Sequence, residues 1–159
     1  MVTSSMEYRR LGNSELHASV IGLGGNTFGP PRIDKDMALR CIHAAQDLGV
    51  NFLDTASGYG EGKSEEFVGA ALEGRRDHWL VATKFNFRGR GERSVREWVN
   101  LCCESSLRKL STDYLDLFQL HQPSPEIPED ELLRAYDALI KGGKVREIGA
   151  SNHYSWHVA

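Results

Sequence analysis

Four side chains that can hold or move a proton stand where apolar segments of this sequence stop. Asp54 closes NFLD, Tyr59 sits in the SGYGEG loop that follows, Lys84 lies near the end of WLVATKF, and His121 closes YLDLFQLH. An acid, a phenol, an amine and an imidazole gathered at one end of a sheet make a proton-donating site, and carbonyl reduction is the reaction such a set serves most directly. Strand alternation is consistent with convergence. Lys84 shares a face with Ala82 and Leu80, Asp54 with Phe52, and His121 with Gln119 and Leu117. A lysine that ends a buried strand is costly unless paired, and Asp54 is its natural counter-ion. Tyr59, bracketed by glycines, can fold back over the pair.

Elements of a repeating kind must position these groups. EYRRLGNSELHASV, with a Gly-Asn-Ser turn between two short alternating segments, reads as a β-hairpin. A first strand is expected at about residues 19–23. Asp34 then caps a helix whose apolar positions are Met37, Cys41, Ile42, Ala45 and Leu48, ended by Gly49. VNFLD is the second strand. Ser64, Glu65 and Glu66 start a helix with their charges at the positive end of its dipole; Phe67, Val68, Ala71 and Leu72 form its buried face, and Gly74 closes it. WLVATKF is the third strand. Ser94 and Glu97 have the spacing of a capping box and lead into Trp98, Leu101, Cys102 and Leu110. YLDLFQLH is the fourth strand. A helix opened by Pro128-Glu129-Asp130-Glu131 turns Leu132, Leu133, Tyr136, Leu139 and Ile140 inward and stops at Gly142-Gly143. REIGAS is the fifth strand, and the last residues enter another helix.

Repeated strand–helix units imply parallel strands and right-handed crossovers. An open doubly wound sheet and a (β/α)8 barrel both fit that order. Polar residues at several successive strand ends, instead of at one switch point, favour the barrel. The fold class is therefore α/β of the (β/α)8 TIM-barrel type with about the first half present. Residues 1–5 form a polar tail and 6–159 the half barrel. A half barrel has two open strand edges, so the segment is expected to be part of a larger chain, or to need the other half or self-association.

Composition sets outer limits. Of 159 residues, 40% are hydrophobic and 26% charged, with a net charge of −3, the profile of a globular protein with no electrostatic footprint for nucleic acid. No apolar run approaches a membrane span, and the N-terminus does not read as a secretory signal. A cytoplasmic location, with neither nucleic-acid nor membrane partners, is the expectation. Three cysteines, two of them adjacent, argue against a disulfide framework. Cys41 and Cys102 lie on apolar helix faces and read as buried thiols, and no spacing suggests a metal. Arg88, Arg90 and Arg93 in FRGRGERS read as a solvated loop.

The segments YRRLGNSELHASVIGLGG, FLDTASGYGEGKSEEFVGAAL, VATKF, DYLDLFQLHQP and KVREIGASN, in this order, resemble the N-terminal half of the aldo-keto reductase family over almost the whole chain. The resemblance implies NAD(P)H-dependent reduction of an aldehyde or ketone, a small-molecule carbonyl substrate, and no metal or flavin. In that pattern Tyr59 donates the proton and Lys84 faces it, since a cation beside a phenol favours the ionised form. Asp54 holds Lys84, and His121 orients the carbonyl. Gly25, Asn26 and Thr27 of the GGNTFG loop match a loop that lies against the cofactor, which Asp54 adjoins. Ser151 and Asn152 of GASN match positions that bind the nicotinamide carboxamide. GGNTFG is not a Rossmann fingerprint, because Thr27 stands where the third glycine belongs. NADPH over NADH follows from the resemblance alone. The family grips adenine and the 2′-phosphate with later strands that are absent here, so the isolated segment is expected to be inactive. Two other readings remain. Lys84 could form a Schiff base, a course that an adjacent carboxylate opposes. The segment could also belong to a non-catalytic reductase-like subunit of the potassium-channel beta type, in which the strand-end histidine is typically replaced.

Overall fold

The computed structural model describes residues 6–154; the expected N-terminal tail and most of the expected final helical entry lie outside the described residues. β1 (Tyr8–Arg10) and β2 (His17–Ser19) form the antiparallel hairpin. β3 (Leu23–Gly24), β4 (Phe52–Asp54), β5 (Leu80–Phe85), β6 (Leu115–Leu120) and β7 (Val145–Ala150) form a parallel sheet in chain order. Between them run α1 (Lys35–Asp47), α2 (Ser64–Ala71), α3 (Val95–Leu110) and α4 (Glu129–Lys141). The first barrel strand is shorter and later than residues 19–23, because Ser19 is taken by the hairpin, where it pairs with Tyr8.

The core lies between the sheet and the helices. Leu53, Val81, Phe85 and Phe118 are essentially buried and face helical residues such as Ile42, Val68, Val99 and Tyr136. Each such side chain contributes on the order of 1.5–3 kcal/mol of transfer free energy. The other face of the sheet carries Phe52, Leu80, Leu117 and Gln119, all half-buried. Alternation therefore runs as expected, with the helices on one side and the tetrad's strand-mates on the other. Among the described residues β3 and β7 each pair along one edge only.

The helix starts follow their local chemistry. Asp34 accepts from the Met37 amide at 2.8 Å. Ser94 and Glu97 cap reciprocally, the Glu97 carboxylate taking the Ser94 amide at 2.9 Å, an arrangement that stabilises a helix by about 1 kcal/mol. Glu65 stands in the first turn of α2 as expected, and it is also buried at 1% exposure, accepting from the Thr83 hydroxyl at 2.7 Å with Lys109 at 3.7 Å. Several apolar positions also turn outward: Met37, Leu48, Leu101, Leu133 and Ile140 are exposed. Each lies at the margin of its helical stripe, whose centre is filled by Ala38 and Ile42, by Val99 and Cys103, and by Ala135, Tyr136 and Leu139. Cys41 and Cys102 are likewise half-buried, and Cys103 is the fully buried thiol. Burial pushes the Cys102 and Cys103 thiols up to about 12, so neither is a reactive thiolate at neutral pH.

Near the start of β6 the sheet is tied by one acid. Asp116, fully buried, accepts from Arg76 at 2.6 Å, from Arg146 of β7 at 2.8 Å and from the Val81 amide of β5 at 2.9 Å. Both guanidinium groups stack on the Tyr114 ring at 4.1 Å. Two cations and an amide satisfy a carboxylate that would otherwise be costly to bury.

Candidate active site at the strand ends

Lys84 is the centre of the site. It lies in β5 between β4 and β6, 5% exposed, opposite Gln119 in register. A buried ammonium needs acceptors on all sides, and three surround it: Asp54 Oδ2 at 2.6 Å, the Thr55 carbonyl at 2.9 Å and the Tyr59 hydroxyl at 3.5 Å. The ammonium also stands 5.0 Å from the centre of the Tyr59 ring. Asp54 uses its other oxygen to accept from the Gln119 amide at 3.4 Å. His121 meets the Tyr59 ring edge-on, with centroids 5.6 Å apart. Asp54, Tyr59, Lys84 and His121 are thus brought together at one sheet edge.

Burial, then the positive charge of Lys84, push His121 below the ordinary imidazole range. The ring is therefore neutral at pH 7 and can donate one hydrogen bond. The sign is that of a depressed histidine. Between its lowered folded pKa and about 6.5 the unfolded chain binds more protons, so stability contributed by the neutral ring is lost as pH falls through that window. An NMR titration of the imidazole is expected to give a midpoint below the free value; a midpoint at or above it would contradict this environment.

The loops supply the remaining candidates. Gly25 is buried at the start of the first βα loop, its amide bonded to the Asp54 carbonyl at 2.8 Å. Asn26 is exposed and Thr27 half-buried along the same rim. After β7, Asn152 adopts a left-handed φ of 59°, a region where asparagine is one of the few tolerated residues. Its amide donates to the His121 carbonyl at 2.7 Å and to the Ser151 hydroxyl at 3.1 Å. Ser151 and Asn152 are thereby fastened to the same strand end as His121. Thr55 and Gln119 were not singled out from sequence. Thr55 acts through its carbonyl, which no side-chain pattern announces. Gln119 could have been found, since alternation already placed it on the face of His121.

Tyr59 is carried by a short helical turn, Tyr59–Gly62, with left-handed backbone at Gly60 and Glu61. The first loop presses on it. A Cβ at Gly60 would stand 1.9 Å from the Phe28 carbonyl oxygen, and one at Gly29 would stand 2.7 Å from Gly60. Backbone against backbone, the contact holds the phenol over Lys84. Among the described residues no cluster of His, Cys, Asp or Glu could hold a metal ion, and no helix is long and apolar enough to cross a membrane.

Comparison with known proteins gives the family. The model of the Aldo/keto reductase family matches residues 20–159. Aldo-keto reductase YhdN of Bacillus subtilis is 38% identical over 160 residues, covering 92% of this chain and 47% of that protein. A Schizosaccharomyces pombe protein named as a voltage-gated potassium channel beta subunit is 31% identical, covering 97% of this chain and 47% of its own length. The crystal structure of an aldo/keto reductase from Klebsiella pneumoniae with NADP and acetate superposes with a TM-score of 0.79 at 34% identity, over 88% of this chain and 48% of that one. The chain spans about half the length of the relatives it matches.

Proposed function

The chain belongs to the aldo/keto reductase family, and we propose that it carries the proton-donating part of an NADPH-dependent reduction of an aldehyde or ketone. The observation that carries this reading is the Tyr59 hydroxyl 3.5 Å from an ammonium that Asp54 and the Thr55 carbonyl hold in place. Tyr59 gives its proton to the carbonyl oxygen as the carbonyl carbon becomes the carbinol carbon. Lys84 faces the negative charge left on the phenol, which water then neutralises. His121, neutral, donates a hydrogen bond that orients the carbonyl.

The residues present fit a nicotinamide. Ser151 and Asn152 offer a hydroxyl and an amide at the rim, held there by the bond to His121, and the loop of Gly25, Asn26 and Thr27 borders the same edge. The cofactor supplies the hydride. Residues 6–159 are read as the N-terminal half of a (β/α)8 barrel that further strands complete. A Schiff-base role for Lys84 is disfavoured by the 2.6 Å contact with Asp54, since a carboxylate at that distance favours the protonated amine.

The test is NADPH fluorescence titration of the full-length protein, with cofactor consumption followed across small aldehydes and ketones. Saturable binding with carbonyl-dependent consumption is expected. Binding without consumption across the panel would favour the regulatory-subunit reading, and absence of binding would end both. Residues 1–159 alone are expected to show no turnover; steady consumption by that pure segment would contradict the half-barrel reading.

A further inference from the structure

Ser64 is fully buried at the first position of α2, yet it caps nothing in its own helix: the residue preceding it, Lys63, occupies the cap without a side-chain bond. Its hydroxyl is committed elsewhere. It donates to the Gly25 carbonyl at 2.8 Å and lies 2.8 Å from the Thr55 hydroxyl. A carbonyl can only accept, so the one proton of Ser64 is spent on Gly25. Thr55 must then be the donor and Ser64 the acceptor in the second bond. The residue so fixed is the one whose carbonyl holds the Lys84 ammonium.

We infer that Ser64 is a positioning residue, which sets the place of the Lys84 ammonium through Thr55 and ties the Gly25 loop to the same point. The inference rests on the reading of Tyr59 and Lys84 given above. Three facts bear on it. The chain Gly25–Ser64–Thr55–Lys84 is continuous, with each link between 2.8 and 2.9 Å. The fit leaves no slack, since a Cβ on Gly25 would stand 2.8 Å from the Ser64 oxygen. Gly25 is also bonded to the Asp54 carbonyl, so the loop, the acid and the lysine are linked by hydrogen bonds. Without the hydroxyl, the Gly25 carbonyl keeps the Phe28 amide as its donor at 3.0 Å, but the buried Thr55 hydroxyl loses its acceptor. It must then find a new partner, and the Thr55 backbone shifts with it.

The test is a double-mutant cycle in the full-length protein, with Ser64→Ala measured alone and in a Lys84→Met background. Alone, Ser64→Ala is expected to lower kcat about tenfold, as for a small displacement of a reacting group. In the Lys84→Met background the same change is expected to leave kcat within about twofold, because the group it positions is gone. The Gly25 tie is expected to appear separately, as a rise in the KM for NADPH that persists in both backgrounds. A loss of thermal stability with kcat unchanged would make the hydroxyl merely structural and overturn the inference. An undiminished kcat loss in the Lys84→Met background would overturn it as well. Should Ser64→Ala fail to fold, Thr55→Val removes the same link from the other side and carries the same expectations. If Tyr59→Phe and Lys84→Met leave turnover intact, the underlying reading fails; if they lower it to a small but measurable residue while Ser64→Ala and Thr55→Val do not change kcat, only the present inference fails.

Discussion

Replacing Tyr59 with phenylalanine in the full-length protein is expected to lower the turnover of carbonyl reduction by at least about 10²-fold, the usual cost of losing a positioned general acid. The substitution removes one oxygen and leaves the ring, so the edge-on packing with His121 and the approach of Lys84 to the ring face persist. Cofactor affinity is therefore expected to stay within a few-fold, because the candidate contacts to the nicotinamide lie on Ser151, Asn152 and the Gly25 loop. Steady-state kinetics beside an NADPH titration separate the two quantities. Unchanged turnover would remove Tyr59 from its role, whatever the geometry around it.

The second large effect is expected from a residue with no side chain. Gly60→Ala should lower turnover by a comparable factor and also reduce stability, whereas Gly58→Ala, on the other side of Tyr59, should be close to neutral. At Gly60 φ is +56°, a conformation that costs an L-residue about 1–2 kcal/mol. The larger problem is space: the new methyl would stand 1.9 Å from the Phe28 carbonyl oxygen, so the two loops must part. The phenol next in sequence goes with them, and an ångström of displacement at a reacting group costs on the order of 10²-fold. Gly58 has an ordinary φ of −101° and nothing within 4 Å of its would-be Cβ. Thermal melts and kinetics of both variants check this. Equal behaviour of the two would show that the loop contact does not hold Tyr59.

The strand order, the helix caps at Asp34 and Ser94, and the meeting of the acid, lysine, phenol and imidazole were legible because each rests on local chemistry or on a period of two. What escaped rests on contacts between distant segments. Glu65 is the first-turn charge that was expected, but its burial escaped because its partner Thr83 lies 18 residues away on the next strand. Met37, Leu101, Leu133 and Ile140 fit the helical period but sit at the edge of stripes whose width depends on how closely the sheet approaches. The Thr55 carbonyl and the Phe28–Gly60 approach are backbone features, and backbone atoms are identical in every residue. Residues 19–23 were assigned to one strand where the chain needs two, since a hairpin end and a barrel strand share the same apolar composition.

The buried Asp116 has a practical consequence for anyone reshaping this protein. Its two arginines and the Tyr114 ring anchor the sheet near where β5 and β6 begin, while the tetrad and its loops occupy the ends where those strands finish. The anchor and the candidate proton-donating site therefore lie at opposite ends of the same strands. A library confined to positions 88–93 or 122–126 leaves that anchor, the Ser94 cap and the buried Phe87 and Ile127 untouched, so its members should melt close together. The loops holding Gly29 and Gly60 are the exception: joined backbone to backbone, they must be transplanted as a matched pair.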